Sequence, residues 1–199
     1  MPRAHYSADL VAGSLLVSES RKIAHLLLQE IPREKISEIV LKENLLQKRS
    51  PKTAKRQSQT ILNRLYLLSE PFWRMVRDGS HEQAVQVLLC AAIKNNLLLG
   101  DFIGGVVSSH IKTFKKELAL RDWDVFFEQG QGIDPSIGAW SESTRRKVRE
   151  VSFRILAEAG IIDTTRSKRI QPFLLLGEVR TLLEENHEDY ILHCLEVFK

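Results

Sequence analysis

Apolar residues recur at three- and four-residue spacing along most of this sequence, and the segments carrying them are bounded by helix start and stop signals. Strict alternation of apolar and polar residues, the mark of a half-buried strand, is nearly absent. The pattern predicts a mainly α fold, since a 3.6-residue period places one continuous stripe on a core while a two-residue period does not. Residues 18–30 suit a first amphipathic helix with Ile23, Ala24, Leu27 and Leu28 on one face. Pro32 opens a second, to about Lys42, because its missing N–H costs nothing in a first turn. Ser50 and Pro51 are a good N-cap and first residue for a helix over 50–69. Ala54, Ser58, Ile61, Leu62, Leu65 and Leu68 gather on one side of it, and Lys52, Lys55, Arg56, Gln59 and Asn63 on the other.

Further along, Ser80 and Gln83 form a capping-box pattern before a helix through Cys90 to about Lys94. Asp101 is placed to cap a helix to about Leu118, weakened by Gly104 and Gly105. Asp122 can cap a short helix carrying Trp123, Phe126 and Phe127. The stretch GQGIDPSIG, residues 130–138, holds three glycines and a proline in nine residues and reads as a linker. It would join a helical N-terminal domain, residues 1–132, to a winged-helix-like C-terminal domain, residues 139–199, with a short β element. There, Ser141 caps a helix to about Ala159 with Val148, Val151, Ser152, Ile155, Leu156 and Ala159 inward, and Gly160 ends it. Ile161 and Ile162 lead into a polar basic turn, TTRSKR. The following RIQPFLLL is a strand candidate that Pro172 confines to an edge. Two closing helices are expected at about 177–185 and 187–198.

Charge is unevenly placed. The chain has 29 basic and 25 acidic residues, a formal net charge of +4, yet no acid occurs between Glu43 and Glu70. Within that gap lie Lys48, Arg49, Lys52, Lys55, Arg56 and Arg64. Residues 141–170 carry eight basic residues against four acids, and residues 171–199 carry two against six. A positive face and an acidic terminal segment follow.

Catalytic signatures are missing. His187, His193 and Cys194 match no zinc spacing; Asp122, Asp124 and Glu128 read as a solvated helix face with a cap. No glycine fingerprint, nucleophile elbow or activated cysteine occurs. Cys90 and Cys194 lie far apart in apolar helical patterns and read as buried free thiols. The beginning of the chain lacks a signal-peptide pattern, and no apolar run approaches the ~20 residues that span a bilayer. These features point to a cytoplasmic protein with no enzymatic activity, cofactor, metal, membrane partner or small-molecule substrate.

Nucleic acid is the partner class that fits. The 50–69 helix presents a basic, amide-bearing face, with Gln59 among the cations. The helix beginning SESTRRKVRE offers hydroxyls at its N-terminus and then Arg145, Arg146, Lys147 and Arg149, and the basic turn adds Arg166, Lys168 and Arg169 as a wing tip. Helix N-termini and cations contact phosphates. The competing reading is that each face is merely solvated. A protein-docking role is a second alternative, suggested by the acidic terminal segment and by Phe72, Trp73 and Trp140, which look exposed.

The residues also resemble a known family. Tyr6, Gly13, Leu15, Leu16, Glu19, Ser20, Ile23 and Ala24 form a "Y…G.LL..ES..IA" pattern, followed by Asn44, Leu45, Gln47, Arg49 and Ser50. Then come Lys55–Arg56, Arg64–Leu65, Asp101–Phe102, Trp123 with Phe126, and an ending "S..T..K…..ILAEAGIID". This order is similar to that of the BrxA family, the small subunit of BREX phage-defence systems, over about residues 6–165. The resemblance implies a bacterial, cytoplasmic, mostly helical protein without catalytic residues that binds double-stranded DNA and works beside a methyltransferase and ATPases, so that other BREX proteins are candidate partners. The family has also been likened to NusB, which implies RNA binding as an alternative. Lys55, Arg56 and Arg64 fall on its motif positions; the 145–149 cluster rests on charge alone.

Overall fold

The computed structural model describes residues 6–198; residues 1–5, which begin the stretch read above for a signal peptide, and Lys199 lie outside it. The chain is mainly helical and divides into two compact units, Leu15–Asn95 and a second that joins Met1–Ser14 to Asn96–Lys199. The division differs from the expected one at 130–138. Contacts distant in sequence recruit the beginning of the chain into the second unit: the Tyr6 N–H donates to Asp134 at 2.8 Å, the Tyr6 hydroxyl donates to Asp101 at 2.7 Å, and the Asn96 amide donates to the Ser7 carbonyl at 2.8 Å.

The Leu15–Asn95 unit holds α1 (Val17–Leu27), α2 (Arg33–Lys42), α3 (Pro51–Leu65), α4 (Glu70–Asp78) and α5 (His81–Asn95). The inner stripe of α3 is the expected one: Ala54, Ser58, Ile61, Leu62 and Leu65 are buried, and α3 packs against α1, α2 and α5. Fully burying each of the three larger side chains contributes about 1.5–3 kcal/mol. Ser80 and Gln83 form the reciprocal capping box, with the Ser80 N–H donating to Gln83 Oε1 at 2.8 Å and the Gln83 N–H to Ser80 Oγ at 3.1 Å. Arg21 on α1 ties down the turn ahead of α5 by donating to the carbonyls of Arg77, Gly79 and Ser80. Residues 84–93 of α5 are all buried, which suits a helix apolar on nearly every side. Phe72 is fully buried, contrary to its exposed appearance in the sequence, and the Trp73 indole donates to the Leu65 carbonyl at 2.7 Å.

The second unit opens with a 3-10 turn (Ala8–Ala12), then α6 (Leu97–Asp101), a π-helical segment (Phe102–Val107), α7 (Ser108–Lys112), α8 (Leu120–Ile133), a 3-10 turn (Pro135–Ala139), α9 (Glu142–Glu158), α10 (Gly177–Glu185) and α11 (Asp189–Cys194), and closes with a 3-10 turn (Glu196–Phe198). Asn96, not Asp101, caps the 97–112 stretch, its Oδ1 accepting from the Leu99 N–H at 3.0 Å. Asp101 instead accepts from both Tyr6 and Tyr190 hydroxyls, and burial together with this carboxylate raises both phenols above their ordinary range. Phe102, Trp123, Phe126 and Phe153 make an aromatic cluster with ring centroids 4.7–6.3 Å apart. Cys90 and Cys194 are buried and outside any disulfide.

Two sequence expectations fail in this unit. The glycine-rich 130–138 stretch is helix and 3-10 turn rather than linker: a Cβ on Gly130 would meet Ile137 Cδ1 at 3.3 Å and Tyr6 at 3.4 Å, so this glycine serves close packing. The edge strand reduces, among the described residues, to two isolated bridges, Ile162 with Ile170 and Glu117 with Arg169. Pro172 offers no N–H to extend the pairing, and beyond it the chain turns to the closing segment, where the Leu175 N–H donates to the Phe198 carbonyl at 3.1 Å and Phe173 packs edge-on against Phe198. α9 itself is as expected, with Ser141 accepting from the Thr144 N–H and Gly160 in the left-handed region at φ +78°.

Candidate nucleic-acid interface

The exposed side of α3 is a stripe of Lys52, Lys55, Arg56, Gln59 and Asn63. These positions repeat every three or four residues, and 11 steps at about 1.5 Å per residue span roughly 16 Å. That length matches about five phosphates along one strand of a duplex. Among the described residues no ion pair or hydrogen bond engages the side chains of Lys52, Lys55 or Arg56. The first turn holds no acid, and Ser50 sits at the N-cap in extended conformation without a side-chain cap bond. The positive end of a 15-residue helix and its free cations therefore point the same electrostatic way. Arg49 is exposed just before this end.

Two residues expected on this surface, Arg64 and Lys48, are placed otherwise, and a third, Asn63, lies on it but is already engaged. Arg64 is 2% exposed, on the inner side of α3, so its guanidinium is not presented to a phosphate. Lys48 is ion-paired with Glu19 and only a quarter of its side chain is exposed. Asn63 accepts from Arg33, whose guanidinium also lies 5.4 Å from the Tyr66 ring centre. Arg33 was not legible as part of this surface, because its neighbourhood depends on α2 packing beside α3.

The start of α9 is basic in sequence but largely committed internally. Arg145 donates to the Trp140 carbonyl at 3.0 Å and to the Gly138 carbonyl at 2.6 Å, and stands 5.4 Å from the Phe127 ring centre. It fastens the 3-10 turn to the helix. Arg149 donates to Asp124 at 2.8 Å. Arg146 and Lys147 are exposed, with loose solvent-facing pairs to Glu150 at 4.0 and 3.6 Å. Ser141 Oγ is 2.9 Å from both the Ser143 and Thr144 hydroxyls, so these groups hydrogen-bond one another. A cavity of about 250 Å³ lies here, its charged lining balanced between Arg145, Arg146 and Arg149 and Asp124, Glu128 and Glu142.

The turn 164–169 is held from within by Asp163, which accepts from the Thr164 and Arg169 N–H groups and from Ser167 Oγ. Lys168, at φ +54°, folds back to donate to the Arg166 carbonyl at 2.7 Å. Arg166 and Arg169 project into solvent. Beside this turn lie Lys112, Lys115 and Lys116, all exposed and missed in the sequence reading. The signal was present as KTFKK. The Leu118 N–H donates to the Lys168 carbonyl and the Ile170 N–H to the Lys116 carbonyl, which brings this segment to the turn.

Among the described residues, no single helix is long and apolar enough to cross a membrane.

Comparison with known proteins places the chain among relatives of matching length. A family model described as BrxA matches residues 4–187. The chain is 41% identical over 197 residues to the BREX protein BrxA of Paramagnetospirillum magneticum, spanning 99% of each. It is 32% identical over 188 residues to the BREX protein BrxA of Escherichia coli O9:H4, spanning 94% of this chain and 88% of that one. A crystal structure of an uncharacterized protein from Magnetospirillum magneticum matches with a TM-score of 0.90 and 39% identity, over 98% of this chain and 100% of the other.

Proposed function

The chain belongs to the BrxA family, and so to the BREX phage-defence systems, and on that premise we propose that it is a non-enzymatic cytoplasmic accessory protein that binds double-stranded DNA through the phosphate backbone with little sequence preference. One observation carries the reading: Lys52, Lys55 and Arg56 form an exposed row on α3 with no ion pair among the described residues. Cations that stabilise nothing inside the protein are available for an external polyanion. The row has amide partners but no set of side chains spaced to read base edges, hence the sequence tolerance. Arg146, Lys147, Arg166 and Arg169 add a second contact. In this reading α9 and the turn after it work as a winged helix does, with Arg166 and Arg169 at the tip.

A mobility shift with duplex DNA, single-stranded DNA and RNA of one sequence tests the proposal across a salt series. With about five phosphates neutralised, log affinity for duplex falls against log salt with a slope of roughly −4 to −5. No shift of duplex at low micromolar protein, or an affinity indifferent to salt, overturns it; tighter binding of RNA moves the function to the NusB-like alternative.

A second reading, docking to another BREX protein, is favoured by the closing segment. Glu178, Glu184, Glu185, Asp189 and Glu196 are exposed there, and a basic partner face is their complement. Co-purification with the other BREX proteins that survives nuclease treatment supports it; loss of every partner after nuclease reduces it to tethering through DNA.

A further inference from the structure

Phe114 is the most exposed large apolar side chain described, at 90%. It also lies in the left-handed region, at φ +57°, one residue beyond the C-cap of α7. The Phe114 N–H donates to the Ile111 carbonyl at 3.1 Å and the Lys115 N–H to the His110 carbonyl at 2.9 Å, a helix-ending turn whose left-handed position favours glycine or asparagine. A phenylalanine there is costly twice: the backbone is strained by a Cβ, and the ring stays in water with no packing return. Folding explains neither cost.

The surroundings supply a reason. Lys112, Lys115, Lys116 and Arg169 are all exposed, against the acids Glu117 and Asp163, the latter already accepting from Ser167 Oγ and the Thr164 and Arg169 N–H groups, and among the described residues no ion pair engages the three lysines. Next to the ring opens a cavity of about 590 Å³ lined by Phe114, Lys115, Lys116, Arg169, Pro172 and Phe173. Its walls are mostly apolar and its rim is cationic. An acidic peptide would match the rim and fill the cavity, but it leaves unexplained a ring that stands 90% exposed at the cavity edge. A planar aromatic ligand joined to regularly spaced negative charges uses the ring, the walls and the rim together.

We propose that this surface holds an unpaired DNA base, stacked on the Phe114 ring, with the flanking phosphates on Lys112, Lys115, Lys116 and Arg169. The inference rests on the DNA-binding reading and deepens it, because the α3 row grips any backbone whereas a free aromatic ring selects DNA with an unstacked base. The protein thereby distinguishes a duplex carrying a single-stranded tail from a fully paired one.

The test uses a hairpin duplex whose loop is a non-nucleotide linker, so that it holds no unpaired base, with and without a short single-stranded tail containing 2-aminopurine. Wild-type protein binds the tailed hairpin more tightly and changes the 2-aminopurine emission. Phe114→Gly keeps the left-handed turn and removes the ring. It should lose about 5- to 150-fold in affinity for the tailed hairpin, the range for one stacked base, while its affinity for the blunt hairpin stays unchanged. Phe114→Trp retains the preference, and Lys115→Glu with Lys116→Glu weakens tail binding and lowers its salt dependence. Equal binding of both hairpins by wild type, or a Phe114→Gly protein that holds the tail as well as wild type, overturns the stacking inference and leaves backbone binding intact. If wild type binds neither hairpin, the DNA-binding reading itself fails. If Phe114→Gly leaves tail binding untouched but abolishes a nuclease-resistant association with another BREX protein, the surface is a protein dock and the inference is overturned.

Discussion

The α3 row and the start of α9 look alike as strings of letters, each with several cations in a short amphipathic helix. In the structure they part. On α3, the side chains of Lys52, Lys55 and Arg56 have no ion pair or hydrogen bond among the described residues. On α9, Arg145 holds two backbone carbonyls and Arg149 an aspartate, leaving Arg146 and Lys147 free but for loose pairs with Glu150. A basic run in sequence reports how much charge is present; the partners folded around it decide how much is left for a ligand.

The largest test of this contrast is charge reversal on α3. Lys52→Glu, Lys55→Glu and Arg56→Glu together should abolish duplex binding at physiological salt while circular dichroism stays that of wild type and the melting temperature shifts by no more than a few degrees, since all three side chains face solvent. The triple alanine version should flatten the salt slope by roughly 3. Unchanged affinity in the folded charge-reversal variant makes the α3 row a solvated face and ends the contrast.

Arg64 and Arg145 sharpen it from the other side, because both were expected to touch DNA. Arg64→Ala removes a buried side chain, and Arg145→Ala frees the Gly138 and Trp140 carbonyls and uncovers the Phe127 ring. Each should cost about 2 kcal/mol of stability, or roughly 4–8 °C in a chain of this size, with DNA affinity changed much less than by the α3 substitutions. Calorimetry beside a mobility shift separates the two readouts; a large affinity loss without a melting shift would return either residue to the interface.

Arg146→Ala with Lys147→Ala should be milder. The pairs with Glu150 are exposed and contribute about 0.2–1 kcal/mol at most, so stability stays within error while the salt slope flattens by roughly 2 or less. No change in slope would take Arg146 and Lys147 out of the interface.

Alkaline pH gives the smallest effect near neutrality. Burial pushes the Cys194 thiol up to about 11 and raises the Tyr190 and Tyr6 phenols. The unfolded chain releases these protons at lower pH than the native one, so stability is fully present below about pH 9 and falls as pH rises toward 11. All three groups lie in the second unit. Thermal melts from pH 7 to 11 should therefore lose stability without any change in the α3 row; a flat profile would show that these groups are not protected.

Local sequence was enough for the helices whose instructions are local. The α3 stripe, the Ser80–Gln83 box, the Ser141 cap and the Gly160 stop each depend on residues within about one or two turns of one another, and the fold reproduces them. The mainly α class and the family follow from the same layer. What failed depended on residues far away in the chain. Asp101 is a hydrogen-bond acceptor for Tyr6 and Tyr190 instead of a cap. Gly130 packs a helix against Tyr6 instead of breaking it. Phe72, read as exposed, is buried.

By itself, then, the sequence determined the helices that carry their own caps and stripes, which side of each is apolar, and how much positive charge the chain carries, because periodicity and capping act over a few residues. Only the tertiary structure decided the division into Leu15–Asn95 and the discontinuous second unit, the burial of Arg64, the internal commitment of Arg145, and the exposure of the Phe114 ring among lysines. Those outcomes depend on which distant side chain or carbonyl arrives beside each group, and a hydrogen bond spanning 128 residues, such as that from the Tyr6 N–H to Asp134, leaves no local trace in the order of letters.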